Sequence, residues 1–316
     1  MELFLPIAHM DVNIVLILLY GGLVGFLSGL VGVGGGFLIT PLLIFTGIPP
    51  IVAVSSGAAQ MAGTASGASH LHWRYGNIDF RMGMVLLAGS WLGGALGVYL
   101  AKILVRLGQF SNVVVFLYVV LLGFIGVSML IESLRAIVRA RSAVDAAGAA
   151  GVPNGTGAPK STLRAWVARL PWQTSFPASG VHMSVVVPLV LGAFVGAMTS
   201  LMGVGGGFIM VPMMIYLLKI PTKIVVGTSL FQLLFTTAAV SVMQAGVNHA
   251  VDPVLVVLLI LGSVVGTKLG AQLGTRLPGE KLRLILALVV VAVAVKMVVT
   301  LVVPPGEIYD MTVELR

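Results

Sequence analysis

The chain has no cysteine. Disulfides, thiolate nucleophiles and Cys-ligated metals are therefore excluded. Charge is nearly as scarce. Asp, Glu, Lys and Arg make up 9% of the 316 residues, where a soluble domain carries about a quarter. So few charges cannot cover a folded surface of this size, which excludes a soluble enzyme, a secreted binding module and a disordered scaffold. Catalytic signatures are missing too. There is no HExxH, no GxSxG and no pair of carboxylates inside an apolar run. No two histidines on different segments share a mid-membrane depth, as a bis-His haem requires. The expectation is a protein that is not an enzyme and carries no metal and no cofactor. The N-terminus, MELFLPIAHMDVN, lacks a basic stretch and a small-residue cleavage site, so it reads as the start of the mature chain.

Apolar sequence is what abounds: 58% of residues, with a mean hydropathy of +1.10. Runs of about 18 residues or more recur, each long enough to cross about 30 Å of hydrocarbon. The runs are continuous, whereas a barrel needs alternation. The fold class expected is an all-α polytopic membrane protein. The net charge of +8 is no nucleic-acid footprint, because most basic residues sit between apolar runs, where they set orientation. The partners expected are the lipid bilayer and a small anionic substrate, with no nucleic acid; whether the chain forms a homo-oligomer is left open.

The apolar segments fall at 12–30, 37–47, 51–73, 80–104 and 113–134, then at 185–202, 208–218, 224–246, 253–275 and 282–303. Five segments, a linker and five segments suggest a duplication. GLVGVGGGFLITP, from Gly29 to Pro41, matches SLMGVGGGFIMVP, from Ser200 to Pro212. Gly32 pairs with Gly203, Gln60 with Gln232, and Gly89-Ser90 with Gly262-Ser263, so the offset grows only from 171 to 173. The organisation predicted is a first repeat at 1–134, a cytoplasmic linker at 135–182, a second repeat at 183–303 and an extracytoplasmic tail at 304–316.

Orientation follows from the cations. Arg135, Arg139, Arg141, Lys160, Arg164 and Arg169 lie in the linker, which places it in the cytoplasm. Five passes per repeat put Arg74, Arg81, Lys219, Lys223, Arg276, Lys281 and Arg283 on that side and leave Lys102, Arg106 and Arg316 outside. An odd number of passes inverts the second repeat relative to the first. The charge rule has the same parity whether the short second segment crosses or re-enters. In the linker, Leu163, Trp166, Val167 and Leu170 recur at helical spacing, which reads as a short amphipathic helix on the inner surface or as an ordinary linker with interfacial tryptophans.

The GVGGG strings, Gly32–Gly36 and Gly203–Gly207, are the main candidates for a site. Each joins a full segment to a short one that contains Pro41 or Pro212. Short, interrupted segments at matching places in inverted halves point to a transporter's substrate site. Glycine lets the backbone leave the helix, and the next helix presents a positive dipole end to an anion. The substrate-binding glycines expected are Gly34, Gly35, Gly36, Gly205, Gly206 and Gly207. A tight helix crossing is the competing account.

Two polar stripes form the second candidate. Ser56, Gln60 and Thr64 share one helix face, as do Thr228, Gln232 and Thr236. Facing each other near the midplane, they would hold the oxygens of an anion; otherwise they are interhelical glue. Lys268 and Lys296 lie within apolar segments, so each is an anion ligand or a snorkelling headgroup contact. His70, His72 and Arg74 either attract anions or sit wet at the boundary. Asp79 and Asp252 read as helix caps.

Two copies of GVGGGFhhhP in opposite halves resemble the TauE/SafE family of sulfite and organosulfonate exporters. The resemblance covers most of the chain outside the linker and tail, although the linker is longer than is usual there. It implies export of a small sulfur-containing anion, a sulfonate such as sulfoacetate or sulfite, across the bacterial inner membrane. A passive anion channel and an uptake transporter for an organic anion remain the alternatives. The topology has a direct check. A single cysteine introduced at Gly155 should react only from the cytoplasm, and one at Arg316 only from outside. A cytoplasmic C-terminus would leave a parallel duplication.

Overall fold

A computed structural model describes residues 2–31, 35–146, 172–176, 178–216, 220, 222–274 and 279–302. Among these residues the chain forms ten α-helices and two β-hairpins. The first half holds hairpin β1 (Glu2–Leu5) and β2 (Met10–Asn13), then α1 (Ile14–Val31), α2 (Ile39–Phe45), α3 (Pro50–Arg74), α4 (Phe80–Arg106) and α5 (Phe110–Ala146). The second holds hairpin β3 (Gln173–Phe176) and β4 (Val181–Ser184), then α6 (Val186–Met202), α7 (Gly207–Tyr216), α8 (Thr222–Val247), α9 (Pro253–Gly274) and α10 (Gly279–Val302). Among the described residues, 80–106, 110–128, 224–247 and 253–273 are long and apolar enough to span a membrane; 14–30, 186–202 and 285–300 are apolar but shorter. With seven residues, α2 reaches only about 10 Å at 1.5 Å per residue. The chain is a multi-pass, mostly helical membrane protein.

The elements differ from the expected segments in two ways. Helix α5 continues past 134 to Ala146. Residues 135–146 contain neither Gly nor Pro and are rich in Ala and Arg, which propagate a helix. The amphipathic helix expected at 163–170 lies outside the described residues, as does the tail. The hairpins were not anticipated, and the second straddles position 182. Leu5 pairs with Met10 and Phe176 with Val181. Each turn carries a left-handed residue before its second strand, His9 (φ 52) and Gly180 (φ 63). Leu5 and Phe176 are both buried, so each hairpin tucks an apolar side chain under the helix it precedes.

The closest helix packing joins the two halves. Helix α1 lies along α9, and α4 lies along α6. On α1, ideal Cβ positions at Gly21, Gly25 and Gly29 fall 2.5, 2.3 and 2.3 Å from the carbonyl oxygens of Leu259, Ser263 and Thr267. From α9, Gly262, Gly266 and Gly270 meet the carbonyls of Leu18, Gly22 and Phe26 at 2.3, 2.0 and 2.1 Å. The numbers rise together, so the two helices run in the same direction. The α4–α6 crossing repeats this, with Gly89 and Gly93 against Leu189 and Ala193 and with Gly192 and Gly196 against Leu86 and Ser90. Only glycine fits where backbones come this close.

Helices α3 and α8 pack together between these pairs, and α5 packs on α10. Ala58 clusters with Val240, while Ala68 lies in the cluster with Val226. The numbers run oppositely, so α3 and α8 are antiparallel.

The crossings predict opposite signs for one substitution. In Gly93→Ala the new Cβ would sit 1.8 Å from the Ala193 oxygen, so the helices must part at a cost of about 1–3 kcal/mol. Gly123 on α5 has nothing within 4 Å, so Gly123→Ala should be neutral or stabilise by up to about 1 kcal/mol. Unfolding in detergent micelles reads both.

Candidate functional site

The glycine strings break the chain between a long and a short helix. In the first half, a 3₁₀ turn at Gly35–Phe37 leads into α2. In the second, α6 ends on Gly203 (φ 69), Gly205 and Gly206 follow at φ 65 and 68, and α7 opens at Gly207. Three left-handed residues within four positions require glycine. Breaking a helix at membrane depth frees carbonyls with no water to take them. Here the protein supplies the donors. Gly203 N–H donates to the Thr199 carbonyl, the Tyr118 hydroxyl to Met202, and Gln244 Nε2 to Ser200 at 3.0 Å. Asn248 Nδ2 in turn donates to Gln244 Oε1.

Both turns abut the midpoint of α3. A Cβ on Gly36 would fall 1.9 Å from Met61 Sδ, and one on Gly205 would fall 2.2 Å from Met61 Cε. Gly206 faces Val195 Cγ1 at 2.1 Å instead. Gly34 lies outside the described residues.

The polar stripes lie near the middle of α3 and α8, and each turns toward the opposite half. Gln60 Nε2 donates to Ser263 Oγ on α9 at 2.9 Å; Gln232 Nε2 donates to Ser90 Oγ on α4 at 2.7 Å and to Thr236 Oγ1 at 3.1 Å. Each serine hydroxyl donates to a carbonyl one turn back, Leu259 or Leu86. The seryl oxygen can then only accept, so the amide nitrogen is the atom that faces it. The two carboxamide oxygens are left buried with no partner in the protein. What remains open on both glutamines is thus an acceptor. Among the described residues the interhelical hydrogen bonds of the two stripes run to other helices and not to each other, while Met61, Ala65, Leu230 and Leu233 cluster between α3 and α8. Thr64 Oγ1 donates to the main-chain carbonyls of Gln60 and Met61.

Ser56 and Thr228 serve the two aspartates. Asp252 N–H donates to Ser56 Oγ at 3.1 Å, and Asp79 N–H donates to Thr228 Oγ1 at 3.0 Å. Asp79 caps α4 by accepting from Met82 N–H, and Asp252 caps α9 by accepting from Val254 and Leu255 N–H. The remaining carboxylate oxygens hold the hairpins. Ser179 donates to Asp79 through its N–H and through its hydroxyl, the latter at 2.6 Å, and Ile7 N–H donates to Asp252 at 3.0 Å. The aspartates are caps, as their positions predict, and they are also the hairpin anchors.

The candidate cations stand apart from the glutamines. Lys268 and Lys296 are exposed on the outer helix faces, with the Lys296 ammonium 4.2 Å from the Phe45 ring centroid. His70 is exposed and packs edge-on to Trp73, and Arg74 is exposed in the last turn of α3. Sequence reasoning missed Met61 and Tyr118. Tyr118 is fully buried, and a lone tyrosine inside a long apolar run was its signal. Met61 follows Gln60 directly but offered nothing beyond its apolar character.

Comparison with known proteins agrees with this architecture. The chain is 25% identical over 250 residues to a probable membrane transporter protein, YunE of Bacillus subtilis (strain 168), covering 76% of this chain and 79% of the relative. A second protein of that organism, the probable membrane transporter YjnA, is 26% identical over 247 residues, covering 78% and 85%. A probable membrane transporter protein of Xylella fastidiosa (strain 9a5c) is 28% identical over 212 residues, covering 66% of each. No solved structure matches. These relatives are transporters and not enzymes. The family model described as sulfite exporter TauE/SafE matches residues 17–297, and the chain belongs to that family of membrane transporters.

Proposed function

We propose that the protein exports a small sulfur-containing anion, a sulfonate such as sulfoacetate or sulfite, across the bacterial inner membrane. The anion binds near the midplane, between two inverted repeats. The observation that carries this reading is the convergence of two glycine turns, Gly36 and Gly205, on one point beside the middle of α3. Interrupted helices that meet at mid-depth are how secondary transporters build a site. Helix α7 starts at the second turn, and its positive end suits an anion. The inverted arrangement is supported by matched contacts. Helix α1 pairs with α9 as α6 pairs with α4, while α3 meets its counterpart α8 antiparallel. A twofold axis relating antiparallel partners runs across the helices, hence in the membrane plane.

Among the described residues no lysine or arginine reaches the turns, so the donors for the anion are main-chain N–H groups. The open glutamine oxygens accept, and they suit a protonated form of the substrate such as hydrogensulfite. The membrane potential, negative inside, drives a monoanion outward by about 2.3 kcal/mol per 100 mV. Export then needs no coupling ion.

Purified protein should be melted with sulfite, thiosulfate, sulfoacetate, taurine, acetate and sulfate in turn. A sulfur anion at a hundred times its Kd should stabilise the fold by about 2.7 kcal/mol by mass action. Stabilisation by neutral or cationic compounds alone would reject an anion site. Flux of the binding anion in proteoliposomes under an imposed potential then separates export from uptake and from a channel: steady movement against a gradient with no potential would require a coupling ion.

A further inference from the structure

The glycines of this protein differ in what a side chain there would meet. Those at the crossings, such as Gly25 and Gly93, face a main-chain carbonyl of a neighbouring helix. That neighbour cannot move without parting the helices. Gly36 and Gly205 instead both face the end of the Met61 side chain. From Gly36 the ideal Cβ lies 1.9 Å from Met61 Sδ, 2.3 Å from Cγ and 2.4 Å from Cε; from Gly205 it lies 2.2 Å from Cε and 2.6 Å from Sδ. Leu233 Cδ1 closes the same spot, 2.7 Å from the Gly205 position. Leu233 is the residue after Gln232, as Met61 is the residue after Gln60. Matched positions on α3 and α8 therefore meet at the glycine turns, one carrying a branched side chain and the other an unbranched thioether.

Met61 is 2% exposed. Its side chain turns about three single bonds with little torsional preference, so it can leave its place without moving the backbone. Leu233 and Val195, which flank the second turn, are branched and stiffer. The space that the missing Cβ atoms create is thus filled by the most easily displaced group in the neighbourhood.

We infer that Met61 stands in the substrate position in this closed arrangement, swings aside when the anion binds between the glycine turns, and sets the size of anion admitted. This rests on the proposed transport function. Shortening the side chain should widen the range of anions carried. Lengthening or stiffening it should narrow that range without unfolding the helix pair.

The absence of native cysteine gives a clean test. Wild-type protein and the Met61→Ala, Met61→Leu and Met61→Cys variants are reconstituted, and the melting temperature of each is recorded. Transport of a small sulfonate and of a bulkier aryl sulfonate is measured for each. Met61→Ala should raise the ratio of bulky to small transport by about tenfold, the factor given by about 1.4 kcal/mol of relieved exclusion. Met61→Leu, with its stiffer side chain, should lower the rate for both. The Met61→Cys protein is treated with sulfonatoethyl methanethiosulfonate. The thiolate, its proton given to water, forms a disulfide to the sulfonatoethylthio group and expels methanesulfinate. Labelling should occur, and it should slow roughly tenfold when the transported sulfonate is present at ten times its Kd.

If the Met61→Ala protein does not fold, the labelling decides alone. A transport-competent Met61→Cys protein that resists the reagent, or reacts equally fast with and without the sulfonate, would overturn the assignment of Met61. An unchanged size ratio in folded Met61→Ala would do the same. A wild-type protein that neither binds nor moves any sulfonate would overturn the transport reading itself, and the wild-type measurement shows which of the two has failed.

Discussion

The interior of this protein depends on how closely four helices can approach. In a bilayer, lipid tails are as apolar as leucine, so burying apolar surface gives helices little reason to associate. Close van der Waals contact has to hold them together. The α1–α9 and α4–α6 crossings achieve it by setting glycine against carbonyl oxygen along three turns of helix. Each crossing joins the first long helix of one half to the fourth of the other. The two halves are thereby packed against each other at both crossings. Helices α3 and α8 are held between the two clamps.

Helices α3 and α8 carry buried polar groups inside that frame. A polar group inside a membrane has to find its partners within the protein. Economy is visible in the aspartates. One carboxylate caps a helix and ties down a hairpin, while its own N–H is taken by a hydroxyl from the opposite half. The serines that receive the glutamine amides sit on α4 and α9, the helices that the clamps lock in place. Hence the carboxamides are oriented by the same crossings that hold the bundle. The two glutamine oxygens are exceptions to this full satisfaction. A buried acceptor without a partner costs about 1–3 kcal/mol, and its recurrence at the matched position of both halves argues against accident.

Much of this was legible in the sequence. Apolar runs and the scarcity of charge fix a polytopic membrane protein. The GVGGG strings follow the ends of α1 and α6, and the recurrence of Gln60 at Gln232 marks matched places on α3 and α8. The caps at Asp79 and Asp252 follow from local grammar. Three things were hidden, each for a physical reason. The hairpins are four-residue strands, too short for periodicity to register. The pairing of the stripes depends on which helix each face meets, and the serine partners lie 203 and 142 residues away in sequence. For the lysines, hydropathy gives depth but not direction. Lys268 and Lys296 both lie within apolar segments, and only the packing of α9 and α10 shows that they point outward.

Glycine itself shows why sequence and structure had to be read together. The spacing of Gly89 and Gly93 and the run from Gly203 to Gly207 are both small-residue patterns, and a tight crossing and a ligand turn are both valid readings of either. What separates them is the atom that each missing side chain faces. At a crossing it is a carbonyl of a helix locked by its neighbours, so the glycine is structural and substitution there parts the bundle. At Gly36 and Gly205 it is a thioether that can rotate away. A rigid scaffold has no use for a gap filled by a removable group, since a fixed branched side chain would fill it with less loss of rotamer freedom. Placing a flexible residue where both glycine turns converge is what a bundle requires if that space must open to a guest while the clamps around it stay shut.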